Sequence, residues 1–178
     1  HRLWSRIGLS TVDQTAPYYR HDGYWNGAVW MPHQWFLWKT MLDLGQADFA
    51  FKIAQTALDL WKAEVDESYH CFEHFLIESG RGAGWHQFSA LSSPVLAWFA
   101  AYYRPGRLTA GFDTWVHRCD VDASHSTLNA ELELCGHSEG EATVLVTLQP
   151  GRAYRALWNG KVVSARPGES GTLQIALP

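Results

Sequence analysis

The spacing of the apolar residues changes once along this chain of 178 residues, near Gly106. Before this point, apolar side chains recur at intervals of three and four, as on the buried face of an amphipathic helix. After it, they alternate with polar side chains, as in a half-buried strand of an antiparallel sheet. The change predicts a mainly α-helical part, residues 1–106, followed by a small antiparallel β domain, residues 107–178.

Three helices are predicted in the first part. Residues 29–44 are apolar on nearly every face and end at Gly45, a residue suited to a helix C-cap. Residues 50–61 carry a single apolar stripe and fit an outer helix, whereas residues 87–103 are again apolar all round. Two inner helices of this kind need more cover than the chain supplies. We therefore expect further polypeptide, either upstream sequence or a partner chain, to complete a larger helical barrel.

The second part carries several strand signals. Apolar and polar residues alternate over residues 128–134 and again over residues 142–148. Asn159-Gly160 separates two short apolar runs, and this dipeptide tolerates the positive φ angles of a type I′ hairpin turn. These signals predict a small antiparallel sheet or the edge of a sandwich.

Composition argues against several kinds of partner and site. The net charge is −4 without a basic stripe, which argues against nucleic acid, and no apolar run approaches the ~18 residues of a membrane span. Cys71, Cys119 and Cys135 are widely spaced, so buried free thiols are favoured over a Cys119–Cys135 disulfide. The chain begins at His1 rather than Met, which predicts that upstream sequence has been removed. We expect a soluble protein, and the sequence leaves cytoplasm and periplasm both open.

Glu73 is the candidate catalytic residue. It lies in an aromatic segment, residues 69–75, within a predicted long loop, residues 66–85, and a second aromatic cluster occupies residues 23–30. Aromatic rings stack on the apolar faces of a pyranose, and a carboxylate can activate water at a glycosidic bond. Glu78 is a second carboxylate nearby, but it is expected in an exposed turn.

Three ordered blocks resemble one enzyme family. Tyr24-Trp25-Asn26-Gly27-Ala28-Val29-Trp30 is similar to the Tyr-Trp-Arg-Gly-Pro-(Ile/Val)-Trp block of inverting glycosidases with an (α/α)6 barrel, which include mannosylglycerate hydrolases, trehalases and processing α-glucosidases. Phe72-Glu73-His74-Phe75 resembles their Phe-x-Glu-Tyr-Tyr segment, and Phe88-Ser89-Ala90-Leu91 resembles the Phe-Ser-Trp-Thr start of their last inner helix. The chain departs from the family at Asn26, which replaces Arg, and at His74-Phe75, which replaces Tyr-Tyr.

The resemblance implies a fold and a reaction. The fold is the C-terminal part of a six-hairpin (α/α)6 glycosidase barrel, joined to the small β unit. The reaction is inverting hydrolysis of an α-glucoside or α-mannoside, in a small glycoside or an oligosaccharide, with Glu73 as general base and without cofactor or metal. The general acid, an Asp in the family, lies outside this chain, so we expect the isolated chain to show little activity. The implied substrate-binding residues are Tyr24, Trp25, Asn26, Gly27, Trp30, Trp85 and His86.

Three alternatives stay open. Trp30 lies within a predicted helix and can equally well be a core residue. Residues 70–74 match H-x-x-E-H, a pattern in which two histidines on one helix bind zinc in a metallopeptidase. The β unit, with Trp115 and Trp158, can be a carbohydrate-binding or purely structural module in a non-catalytic fragment.

Overall fold

A computed structural model describes residues 2–136 and 142–178, which form three α-helices and several small antiparallel sheets. The chain divides into two compact units. Residues up to Leu37 together with Lys52–Trp98 form the first, and Trp38–Phe51 together with the residues from Phe99 onwards form the second. The division into domains 1–106 and 107–178 stays a prediction. The helices are α1 (Met31–Asp43), α2 (Ala47–Ser68) and α3 (Ser93–Tyr103).

The predicted first helix is confirmed as α1. It ends in a Schellman motif, in which the Gly45 N–H donates to the Leu42 carbonyl over 3.2 Å and the Gln46 N–H donates to the Met41 carbonyl over 2.7 Å. Gly45 has a φ of +67°, a conformation that costs glycine little because it has no Cβ.

The predicted second helix is confirmed as α2, and its polar residues Lys52 and Asp59 are exposed, whereas its place as an outer helix stays a prediction. The helix continues to Ser68, beyond the end predicted at residue 61. The buried face also continues, but its next member is Glu64, and this carboxylate interrupts the apolar pattern. The apolar residues of this face that are at most 1% exposed are Ala50, Ile53, Ala54 and Ala57.

The predicted third helix begins later than expected. A 3-10 turn over Ser89–Ser92 precedes α3, and Pro94 lies in the first turn of α3, where its missing N–H costs no helical hydrogen bond. The helix was predicted to be apolar all round and to need more cover than this chain supplies, and the described residues leave part of its apolar surface exposed. Trp98 is fully buried, whereas Leu96 and Phe99 are 73% and 54% exposed. One side of α3 is therefore apolar and open.

Two short hairpins complete the first unit. The Gln34 side chain of α1 is fully buried and ties this helix to β2, because its amide both accepts from the Leu9 N–H and donates to the Leu9 carbonyl, each over 2.8 Å. The predicted long loop, residues 66–85, begins as the last turn of α2 and then forms the second hairpin. The hairpins pair β1 (Trp4–Ser5) with β2 (Gly8–Leu9) and β3 (His74–Phe75) with β4 (Gly82–Ala83).

The second unit contains one four-stranded and two two-stranded antiparallel sheets among its described residues. The strands are β5 (Arg107–Thr109), β6 (Thr114–Val121), β7 (Leu128–Leu134), β8 (Thr143–Thr147), β9 (Ala156–Trp158), β10 (Lys161–Val163), β11 (Ala165–Pro167) and β12 (Leu173–Ala176). The order in the larger sheet is β11-β12-β8-β5. The predicted hairpin turn is confirmed, with φ angles of 48° at Asn159 and 80° at Gly160 between β9 and β10.

The prediction that residues 142–148 form a half-buried strand is wrong, because β8 is buried on both faces. One face joins the hydrophobic cluster through Val144. On the other face, Leu145 is 1% exposed and Thr147 is also buried. The Thr147 hydroxyl donates to the Ala101 carbonyl and contacts the Thr172 hydroxyl. Threonine tolerates this burial because its polar atom keeps hydrogen-bond partners. Trp158 packs against the same cluster.

None of the helices in the described part of the chain is both long enough and apolar enough to cross a membrane. All three cysteines are free, as favoured by their spacing, but none is fully buried: Cys119 is exposed, and Cys71 and Cys135 are half-buried.

Candidate active site

Two hydrogen bonds hold the Glu73 carboxylate in the first unit. The Tyr24 hydroxyl donates to Oε1, and the Trp85 N–H donates to Oε2 over 3.3 Å. The backbone of Glu73 is also fixed, since its N–H donates to the Trp85 carbonyl over 3.0 Å. Glu73 is half-buried, so the protein orients its carboxylate without enclosing the residue completely.

A stack of three aromatic rings lies beside this carboxylate. Trp30 is the middle ring: its centroid is 4.1 Å from that of Trp25, with the planes 8° apart, and 5.0 Å from that of His74, with the planes 22° apart. Trp30 is 2% exposed and acts as a packing residue, whereas Trp25 is 61% exposed. The outer face of the stack is therefore a flat, exposed aromatic surface formed by Trp25.

Tyr24 connects the stack to Glu73. Its ring stands edge-on to Trp30 and to His74, and the Trp30 indole N–H donates to the Tyr24 carbonyl over 2.8 Å. The hydrogen bond to Glu73 raises the pKa of Tyr24 above its ordinary value, so the hydroxyl stays a proton donor to the carboxylate. The predicted pair Tyr24 and Glu73 is thus brought together although 49 residues separate them.

His74 completes the inner wall of the site. The imidazole is buried, and burial lowers its pKa below the ordinary value although the negative charge of Glu73 acts in the opposite direction. The buried Nδ1 has no hydrogen-bond partner among the described residues. The ring is therefore neutral at pH 7 and contributes a flat surface rather than a charge.

Asn26 and Gly27, both predicted to bind substrate, have the contacts of loop-building residues. The Asn26 amide donates to the Tyr18 carbonyl, and the Gly27 N–H donates to the Thr11 hydroxyl over 3.1 Å. A Cβ on Gly27 would lie 1.7 Å from the Arg20 carbonyl oxygen, so only glycine fits this turn. These residues set the position of Tyr24 and Trp25.

Trp85 and His86 lie on the exposed side of the site. Trp85 is 61% exposed, and its ring is 5.7 Å from that of His86 at an angle of 30°. The His86 ring also contacts His70, with ring centroids 4.9 Å apart. Trp85 thus reaches Glu73 through its backbone and offers its indole to solvent.

The glycines of the β3–β4 hairpin leave space that any side chain would fill. A Cβ on Gly84, which has a φ of +75°, would lie 2.5 Å from Glu73 Oε2 and 2.9 Å from His74 Cε1. A Cβ on Gly82 would lie 2.1 Å from the Phe72 ring. The glycine-rich composition of this segment therefore serves close packing around the carboxylate.

An ion pair between a buried glutamate, Glu64, and a half-exposed arginine, Arg81, was not predicted. The Glu64 side chain on α2 is 2% exposed and accepts from Arg81 Nε over 2.9 Å, from Arg81 Nη2 over 3.1 Å and from the Gly82 N–H over 2.8 Å. The Arg81 hydrogen bonds lower the pKa of Glu64 to about 2, with further help from the Gly82 N–H. Because the pKa of Glu64 is lower in the folded protein than in the unfolded chain, the ionised glutamate stabilises the fold above its ordinary pKa. This stabilisation is lost as the pH falls toward about 2. The sequence feature that could have indicated this pair is Glu64 itself, a carboxylate that continues the apolar stripe three residues beyond Trp61.

The zinc alternative lacks the geometry that its motif requires. Helix α2 ends at Ser68, Tyr69 has a φ of 60°, and His74 lies in β3, so His70 and His74 do not share a helix face. Across residues 2–136 and 142–178, no three His, Cys, Asp or Glu side chains are grouped in a way that could hold a metal ion.

Comparison with known proteins supports a sugar-cleaving family. Residues 1–89 match the model of the mannosylglycerate hydrolase MGH1-like glycoside hydrolase domain. The chain is 30% identical over 94 residues to a mannosylglycerate hydrolase of Thermus thermophilus, covering 53% of this chain and 21% of that protein. It is also similar to the crystal structure of an uncharacterized conserved protein from another strain of Thermus thermophilus, at 30% identity and a TM-score of 0.46, covering 53% of this chain and 22% of the other.

The chain thus spans about a fifth of the length of the curated relative that it matches. The matched segment contains the aromatic stack, Glu73, Gly84 and the Glu64–Arg81 pair. Since the family model covers residues 1–89 of 178, the chain belongs to the MGH1-like glycoside hydrolase family.

Proposed function

We propose that this chain supplies the general base and part of the sugar-binding surface of an inverting glycoside hydrolase with an (α/α)6 barrel. The observation that carries the proposal is that the Tyr24 hydroxyl and the Trp85 N–H both donate to the Glu73 carboxylate. The exposed ring of Trp25 belongs to the aromatic stack at the same site. A carboxylate oriented in this way can accept a proton from water as the water attacks an anomeric carbon.

The site has two parts: the hydrogen-bonded carboxylate would act on water, and the aromatic face would bind the sugar. Because the donors from Tyr24 and Trp85 hold the oxygens of Glu73, the carboxylate does not need to reorient when it accepts a proton. Trp25 offers an aromatic face on which the apolar face of a pyranose can stack. The sugar would therefore lie against Trp25 with its anomeric carbon toward Glu73.

The general acid would come from the rest of the barrel. An inverting pair of carboxyl groups stands about 6.5–9.5 Å apart, which leaves room for the attacking water. The open apolar side of α3, with Leu96 and Phe99 exposed, supports the presence of further polypeptide against this helix. We expect complete activity only in the full-length polypeptide.

The proposed substrate class is supported by the name of a relative. A relative carries the name mannosylglycerate hydrolase, and we extend the proposal to small α-mannosides and α-glucosides. The test is hydrolysis of a panel of α- and β-linked mannosides and glucosides, mannosylglycerate included, followed by proton NMR of the first-formed sugar. We expect an α-linked substrate to be cleaved and the β-anomer to appear first, before mutarotation. An α-anomer as the first product would contradict the inverting mechanism.

Trp25 provides a second test, of the binding surface. Trp25→Ala removes a stacking face worth about 0.5–1.5 kcal/mol, so we expect KM to rise by about 2- to 12-fold. The matched control is Trp115→Ala, since Trp115 is also more than half exposed but lies on β6 in the second unit. Steady-state kinetics of the full-length protein measures both. A KM of Trp25→Ala equal to that of the wild-type protein would remove Trp25 from the sugar site.

A further inference from the structure

A buried carboxylate lies behind the hairpin that carries Glu73. Glu64 is nearly inaccessible, at 2% side-chain exposure, and a charge at such a position is costly unless it is paired. Two nitrogens of Arg81 and the Gly82 N–H bind it. These three donors come from two consecutive residues at the start of β4, so Glu64 fixes that strand to α2.

The strand that Glu64 holds also carries the surroundings of Glu73. Gly82 pairs with Phe75 and Ala83 pairs with His74, the residue that follows Glu73. Two residues beyond Gly82, Gly84 leaves the space that the carboxylate occupies. The next residue, Trp85, exchanges backbone and side-chain hydrogen bonds with Glu73. A displacement of β4 would therefore move the Trp85 N–H that donates to Glu73, and it would also change the space beside Gly84 that the Glu73 carboxylate occupies.

We infer that Glu64 is a positioning residue for catalysis, which acts through β4 on the carboxylate of Glu73; this inference rests on the proposed function of Glu73. Glu64 does not touch the sugar site. The charge and geometry of the Glu64–Arg81 pair hold β4 in the register in which the Trp85 N–H meets Glu73 Oε2. A misplacement of about 1 Å at a reacting group can cost about 10²-fold in rate.

The test is Glu64→Gln in the full-length enzyme. Glutamine keeps the size of the side chain and an acceptor for the Gly82 N–H, but it removes the charge that pairs with Arg81. We expect kcat to fall about tenfold while KM stays within about twofold, because Trp25 is unaffected. The matched control is Glu67→Gln, which removes the 66%-exposed partner of the same Arg81 and should leave kcat within about twofold.

A double-mutant cycle separates positioning from general stability. If Glu64 acts through Glu73, adding Glu64→Gln to Glu73→Gln should lower the residual rate no further. A further tenfold loss in that background, or a Glu64→Gln rate equal to that of Glu67→Gln, would overturn the inference. If Glu64→Gln does not fold, Arg81→Lys takes its place in the same cycle, because lysine keeps the charge and loses the two-nitrogen contact.

The outcome also distinguishes the inference from the proposed function. If Glu73→Gln retains near-normal turnover, the proposed role of Glu73 fails and the inference fails with it. If Glu73→Gln is inactive and Glu64→Gln behaves like Glu67→Gln, only the inference fails.

Discussion

Replacing Glu73 by glutamine is expected to lower kcat of the full-length enzyme by about three orders of magnitude, since general-base catalysis contributes about 10²–10⁴-fold. The amide has nearly the same size as the carboxylate, and its oxygen can still accept the hydrogen bond from Tyr24. It cannot take a proton from water, so binding should persist while the chemical step slows. The initial rate of glycoside hydrolysis at saturating substrate measures this effect.

The matched control for this substitution is Glu78→Gln. Glu78 lies five residues further along the same segment and is exposed, so the identical chemical change should leave kcat within about twofold. A large loss with Glu78→Gln and none with Glu73→Gln would transfer the role of base to Glu78.

Gly84→Ala is expected to lower kcat by about 10²-fold, the second-largest effect, although it changes no catalytic group. The added Cβ would lie 2.5 Å from Glu73 Oε2, closer than real Cβ contacts allow. The carboxylate is the end of a flexible side chain, so it will move away rather than unfold the protein. Its hydrogen bonds to Trp85 and Tyr24 are then lost, and its position relative to substrate changes. Steady-state kinetics and a thermal melt of the same protein measure the two consequences separately.

Gly151→Ala is the control for backbone strain. Gly151 has a φ of +77°, nearly the same as the +75° of Gly84, but a Cβ there would have nothing within 4 Å. Gly151→Ala should lose about 1 kcal/mol of stability from placing alanine at positive φ, and Gly84→Ala should lose at least as much, because its Cβ also meets the buried His74 ring. Only Gly84→Ala should lose activity. Equal activity of the two variants would show that the position of the Glu73 carboxylate does not limit turnover.

The secondary structure was predictable where the local pattern is unambiguous. The residues on the buried face of α2, the glycine cap after α1 and the Asn159-Gly160 turn are set by spacing and by φ preferences, which are local properties. Predictions failed where tertiary contacts override the pattern. The threonines of β8 are polar, yet Thr147 is buried because its hydroxyl bonds to Ala101 and Thr172.

The candidate site was predictable in its residue types but not in its contacts. Aromatic clusters near a carboxylate pointed to Trp25 and Glu73, but no spacing rule connects the Tyr24 hydroxyl to a carboxylate 49 residues away. The Glu64–Arg81 pair was missed for a related reason. A lone carboxylate on an apolar stripe interrupts the periodicity, and its partner 17 residues on is visible only when the hairpin has folded back.

If the Glu73 carboxylate acts on a bound sugar, its replacement by glutamine should slow cleavage and leave binding intact. Full-length Glu73→Gln protein is titrated calorimetrically with a glycoside that the wild type cleaves, and single-turnover hydrolysis is followed in the same samples. We expect binding with a Kd within about threefold of the wild-type KM and a cleavage rate about 10³-fold below wild type. Cleavage within about tenfold of the wild-type rate would show that Glu73 is not the general base.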